Sequence, residues 1–168
     1  MSTSTNSPRS GRAVPARPSL FRSILRPRNL AITAIALFAL IQVVSFPVIS
    51  MAGWQTNPNP LAEPAWDKPE TRALAVRACY DCHSDETVWP WYSQVAPVSW
   101  LVTRHVIDGR RKLNFSEWGV RGVEVNEVTR AVRSGKMPTK DFLLMHPEAK
   151  LTDAEKQQLI DGLSASLR

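Results

Sequence analysis

Apolar positions are distributed along this chain in three different ways. From Leu30 to Met51 they run almost without break, LAITAIALFALIQVVSFPVISM, interrupted only by Thr33, Gln42, Ser45 and Ser50 and carrying one proline at Pro47. A helix rises 1.5 Å per residue, so roughly 20 such residues cross a bilayer core, and the run predicts a membrane-spanning helix over residues 30–52. Residues 53–69 then lose all periodicity: QTNPNPLAEPAWDKP has four prolines and reads as an extended spacer. Beyond it the apolar residues return at helical spacing, with no convincing alternation of a strand. Pro69 and Glu70 open a first helix through Leu74, Val76 and Ala78. Pro97 opens a second, with Val98, Leu101, Val102 and His105 at i, i+3, i+4 and i+7, ending near Gly109. A third carries Val125, Val128 and Val132 and meets Gly135 as a C-cap. The last begins at Thr152-Asp153-Ala154-Glu155, a capping-box pattern, and presents Leu159, Leu163 and Leu167 on one face. The expectation is all-α: four short helices around one centre, over residues 70–168.

Charge changes the picture at the N-terminus only. The net charge of +6 equals the six arginines Arg9, Arg12, Arg17, Arg22, Arg26 and Arg28, so the rest of the chain is formally neutral and no basic face for nucleic acid is implied. Residues 1–29 therefore read as a basic cytoplasmic tail, which by the positive-inside rule puts residues 53–168 on the far, periplasmic side of the inner membrane. Trp54 falls where an interfacial aromatic sits. The rival reading is a cleaved signal with Ser50-Met51-Ala52 as its processing site. The long basic lead and the length of the apolar run favour an anchor, and both readings export the same residues.

The exported part holds the only two cysteines, in RACYDCHSDETVWPWYS: Cys79 and Cys82 stand three apart and His83 follows. Outside the cytoplasm such a pair can oxidise, but a dithiol oxidoreductase mounts it after a strand, and here it follows a helix. A structural zinc site wants four ligands, and only three cluster here. Covalent haem uses all three residues, the sulfurs as thioethers and the histidine as proximal iron ligand. A domain this small, with long irregular segments such as 84–96, also needs something large and apolar in its middle.

The sixth iron ligand is best sought at Met137 in SGKMPTKDF, where Gly135 permits a tight turn and Pro138 stiffens the loop. A thioether opposite histidine raises the potential and favours electron transfer. His146, Met145 and His105 follow in that order. Trp89, Trp91, Tyr92, Trp100 and Trp118 are divided between pocket walls and ordinary packing. Arg104, Arg110, Arg111 and Lys112 read as a solvated charge run at a helix end that can reach propionates. Asp81, Asp85 and Glu86 read as a wet loop.

The blocks CYDCHSDETVWPWYSQVAPVSW, GRRKLNFSEW, SGKMP and HPEAKLTDAE together resemble the bacterial haem-binding domain family of cytochrome-c-like proteins, over residues 70–168. The resemblance implies a small class I cytochrome-c-like domain with one covalently attached haem c per chain. In it Cys79 and Cys82 hold the cofactor, His83 is the proximal ligand and Met137 the distal one. The function expected is electron transfer to redox partner proteins of a respiratory or periplasmic system, by a membrane-anchored carrier rather than an enzyme. A haem sensor or haem-dependent catalyst with a displaceable sixth ligand is the alternative.

Overall fold

The computed structural model describes residues 26–120 and 122–167; the tail residues 1–25, with four of the six arginines, lie outside them. Among the described residues there are seven α-helices and no strand. They are α1 (Pro27–Met51), α2 (Pro69–Ala78), α3 (Tyr80–His83), α4 (Val98–Lys112), α5 (Val125–Arg133), α6 (Lys140–Met145) and α7 (Asp153–Ser166). Short 3-10 turns stand at Trp91–Gln94 and Pro147–Ala149. The all-α expectation is met.

The chain divides into two units, residues 1–40 and 41–168. What is described of the first is the start of α1, whose Leu30, Ile32, Ile35, Leu37 and Phe38 are all exposed. α1 is the one described helix long and apolar enough to cross a membrane.

In the second unit α2, α5 and α7 pack around Leu74, Ala75, Ala78, Val132, Leu159, Ile160 and Leu163. Each helix starts where its sequence says it should. Pro69 sits in the first turn of α2, where a missing N–H costs nothing. Thr152 accepts from the Glu155 N–H while the Glu155 carboxylate accepts from the Thr152 N–H, closing a capping box. α5 ends at Ser134, and Gly135 follows at φ +69°. Phe115, fully buried, is stacked on Tyr80 and tilted against Trp66, with both ring centroids at 5.4 Å.

Three local readings are corrected. α4 does not stop near Gly109 but continues to Lys112, its ladder closed by Leu113 N–H on the Gly109 carbonyl at 2.9 Å. The helix keeps a mid-helix glycine because a Cβ there would stand 2.2 Å from the carbonyl oxygen of Cys82. Residues 53–69 are not a free spacer. Leu61 and Ala62 both donate to the Ser116 carbonyl, at 2.8 and 3.2 Å, and Trp118 N–H returns to Ala62 O at 3.0 Å. Finally, Asp85 is buried rather than wet and Arg110 is not part of a solvated run. Asn114 donates to Asp85 at 3.0 Å, and the Arg110 guanidinium lies 3.5 Å from the same carboxylate. Arg110 also donates to the carbonyls of Ser84 (2.7 Å) and Thr56 (2.8 Å), to Asn57 Oδ1 and to Thr87 Oγ1. It ties α4, the loop after His83 and the segment before α2 into one piece. Helices α3 and α6 went unanticipated because four and six residues are too few to show a period.

The C-terminal half of α1, from residue 41 on, is part of this second unit. Gln42 donates to the Ala96 carbonyl at 3.0 Å and accepts from the Ala96 N–H at 2.9 Å, while Ser45 and Ile49, on the same helix face, are buried.

Candidate functional site

Cys79 sits where α2 ends and the single turn of α3 begins. Its N–H still bonds Ala75 O at 2.8 Å, and its carbonyl accepts from both Cys82 N–H (3.1 Å) and His83 N–H (2.9 Å). A turn so closed puts residues three and four apart side by side, bringing both sulfurs and the imidazole to one side of the chain. The turn is held from outside as well. Ser84 Oγ donates to Tyr80 O at 2.8 Å, Thr87 Oγ1 to Asp81 O at 2.9 Å, and Phe115 N–H to His83 O at 2.8 Å.

The orientation of His83 is settled by its partners. Nδ1 lies 3.0 Å from the carbonyl of Gly109 and 3.1 Å from that of Leu113, both at the C-terminal end of α4. Carbonyls only accept, so Nδ1 carries the proton and Nε2 keeps its lone pair. Burial holds the imidazole below the usual histidine range, against the raising effect of those two carbonyl bonds, which favours the neutral ring. A neutral histidine with one nitrogen tied to backbone and the other available is the form that ligates a metal.

Two cavities meet at this turn. One, of about 280 Å³, is walled by Phe115, Val128, Ala131, Val132 and Leu163; the other, of about 130 Å³, by Cys82, His105, Gly109 and Phe142. Ala78, Cys79, His83, Lys112 and Met137 line both. The space is predominantly apolar, with Lys112, Lys136, Glu124 and Glu127 at its edges. It is the apolar centre that the small helical domain required, and its donors are two thiols, an imidazole nitrogen and a thioether. That set and that lining fit a porphyrin with a soft distal ligand. Lys112 and Lys136 are the lysines among the lining residues.

Burial pushes the Cys79 thiol up to about 12, with Cys82 beside it adding to the effect. Burial likewise pushes Cys82 to about 11, assisted by the charges of Asp81 and Asp141. A working dithiol has a lowered thiol pKa, so the environment is the opposite of what redox exchange requires.

The structure thus brings Cys79, Cys82, His83 and Met137 to one space. Met137 follows α5 in a segment tied back by its N–H to Ala131 O at 3.1 Å. The competing ligands separate. Both ring nitrogens of His146 are occupied, Nε2 with Tyr92 Oη at 2.8 Å and Nδ1 with Glu148 Oε1 at 3.1 Å, and its ring is stacked on Phe142. Met145 is half-exposed and lines a different cleft. His105, ranked last from sequence, lies in the same cavity as Met137, with Nδ1 3.4 Å from Asp141 Oδ2. Sequence reasoning missed Gly109 and the α5 wall. The signal for the first was a glycine inside an apolar stripe. Trp91 and Trp100 are exposed, while Trp118 and Trp66 pack on the core.

A family model described as a haem-binding domain matches residues 36–165, beginning inside α1. No curated protein and no solved structure matches the chain.

Proposed function

The chain belongs to the haem-binding domain family, and from that premise we propose that it is a membrane-anchored mono-haem c-type electron carrier. α1 anchors it, N-terminus in the cytoplasm, with the helical domain on the periplasmic side. Cys79 and Cys82 attach the cofactor through thioether bonds, His83 supplies the proximal nitrogen and Met137 the distal sulfur. When bound, the haem supplies a one-electron couple; the chain supplies its position and its potential. His83 holds its plane through the two α4 carbonyls, which also make the imidazole a better donor. The thioether of Met137 favours the reduced metal. The aliphatic walls on α5 and α7 keep water away from it.

The observation that carries this reading is the His83 ring itself. Its Nδ1 is doubly tied to Gly109 and Leu113, which leaves Nε2 for a metal, in a cavity that Cys79 and Met137 also line. The test is the visible spectrum of the full chain, co-expressed with a c-type haem maturation system and purified under denaturing conditions. Denaturant strips non-covalent haem, so colour that travels with the chain means thioether attachment. A colourless chain would overturn covalent attachment while leaving family membership untouched. Carbon monoxide then reports on the sixth position. Refusal by the reduced protein is the expected result, and immediate tight binding would turn the reading to a sensor or catalyst.

A further inference from the structure

We propose that the N-terminal shoulder of α4, Pro97 to Leu101, is submerged in the outer leaflet of the bilayer that α1 crosses, so that the domain is seated in the membrane rather than held above it. The inference rests on the anchor reading of α1.

Three observations meet here. The first is a length. Residues 30–40 of the apolar run rise only about 16 Å at 1.5 Å per residue, roughly half of a hydrocarbon core of ~30 Å. Any crossing must therefore use residues 41–51 as well. The second is where the domain touches that second half. Gln42 is clasped to both backbone groups of Ala96, and Ser45 and Ile49, one and two turns further along the same face, are buried against the domain. Gln42 is the one strongly polar side chain between Leu30 and Met51, and both ends of its amide are satisfied by Ala96. A lipid-facing amide would be costly, so the clasp makes Gln42 tolerable at bilayer depth. The third is the surface beside the clasp. Val98, Trp100 and Leu101 are each between 42% and 50% exposed, and Val98 and Leu101 also line a cleft with Tyr92 and Met145. One turn on, the exposed face of α4 becomes charged: the Arg104 side chain is 79% exposed, followed by Asp108 and Arg111. An apolar end, a tryptophan and then an arginine is the order in which a protein surface leaves hydrocarbon, crosses the interface and reaches phosphate. The family match, which begins at residue 36, includes the clasped half of α1 in the domain.

The test uses the haem-loaded full chain in phosphatidylcholine nanodiscs, which expose both faces to solvent. Leu37→Cys, Leu101→Cys and Val120→Cys each add one thiol, and its reaction with a charged maleimide is timed against the parent chain. Val120 is 60% exposed and distant in sequence from the shoulder. The expected result is that positions 37 and 101 react at least tenfold more slowly than position 120, and that all three react alike in dodecyl sulfate. If 37 is slow and 101 is as fast as 120, the anchor stands and the submerged shoulder is refuted. A fast 37 refutes the anchor, and the shoulder with it. A covering protein copy is distinguished from lipid by brominated-acyl phosphatidylcholine. It should quench tryptophan emission in the parent more than in Trp100→Phe, and equal quenching would refute lipid contact.

Discussion

Gly109→Ala adds one methyl group at the point where α4 meets the cysteine turn, and its effect follows from two opposed magnitudes. In a helix interior alanine is favoured over glycine by about 1 kcal/mol, so propensity alone predicts stabilisation. Against it, the new Cβ would stand 2.2 Å from Cys82 O, 3.0 Å from Cys82 C and 3.2 Å from Cys82 Cβ. The two nearest are backbone atoms of a closed turn and the third is the Cβ fixed to it, not the free end of a side chain, so relief requires moving α3 away from α4. Overpacking of this kind costs about 1–3 kcal/mol, and more where backbone must shift. Because backbone must shift, the upper part of that range applies, about 2–3 kcal/mol, and the expected balance is a net loss of about 1–2 kcal/mol, or roughly 4–16 °C in melting temperature for a domain of this size. The displacement also falls on function, because the Gly109 carbonyl is one of the two acceptors holding His83 Nδ1. Melting followed at the haem absorption band, with the reduction potential measured on the same samples, reads both effects in full-length protein. Gly122→Ala, where nothing lies within 4 Å, is the control and should be neutral or slightly stabilising. A Gly109→Ala protein at least as stable as the parent, with unchanged potential, would refute the close-approach argument and leave Gly109 a mere defect of propensity.

Met137→Ala should abolish the weak methionine–iron charge-transfer band of the oxidised protein and lower the potential; an unchanged spectrum would remove Met137 from the ligand set. Arg110→Ala leaves the buried Asp85 carboxylate without its cation and should destabilise by about 3–5 kcal/mol in denaturant unfolding, a loss that lysine, lacking the guanidinium fork, restores only in part. Glu155 is held down to about 2 by the Thr152 N–H first and by Arg77 and the Thr152 hydroxyl after it. Because its folded pKa lies below the ordinary value of 4.5, its contribution is complete above pH 4.5 and is lost as pH falls towards 2. Thr152→Ala removes the cap hydroxyl but keeps the N–H, so it should cost about 1 kcal/mol at neutral pH; Glu155→Gln, which removes the carboxylate, should flatten the acid limb of the stability curve, and an unchanged limb would show that the fold does not hold that carboxylate down.

What could be read from the chain alone was whatever depends on near neighbours in sequence. The haem motif is five residues long, the capping box four, and the apolar stripes of α2, α5 and α7 repeat within a dozen. The place of Met137 at the cavity was legible for the same reason, since a glycine and a proline flank it. What stayed hidden depends on chain segments that meet only in the fold. Arg110 reads as one charge in a run of three, and only the approach of Thr56, Asn57, Ser84 and Thr87 shows it to be buried and structural. His146 reads as a better ligand than His105 until Tyr92 and Glu148 occupy its two nitrogens. Gln42 passed as a polar interruption of an apolar run, because its partner at Ala96 lies 54 residues on.

That clasp changes what kind of object the domain is. Had residues 55–69 been a loose coil, they would have let the domain wander over a range of roughly 20 Å. Instead α4 stands between Ala96, fastened to α1, and Gly109, pressed on Cys82 and holding the His83 ring. The helix acts as a strut of 15 residues, about 22 Å of nearly incompressible length. The distance of the His83 ring from the clasped turn at Gln42 is thus a constant of the fold rather than an average over a tether. On the reading proposed above, a redox partner would meet a site whose position relative to residues 41–51 is already set, which shortens its search.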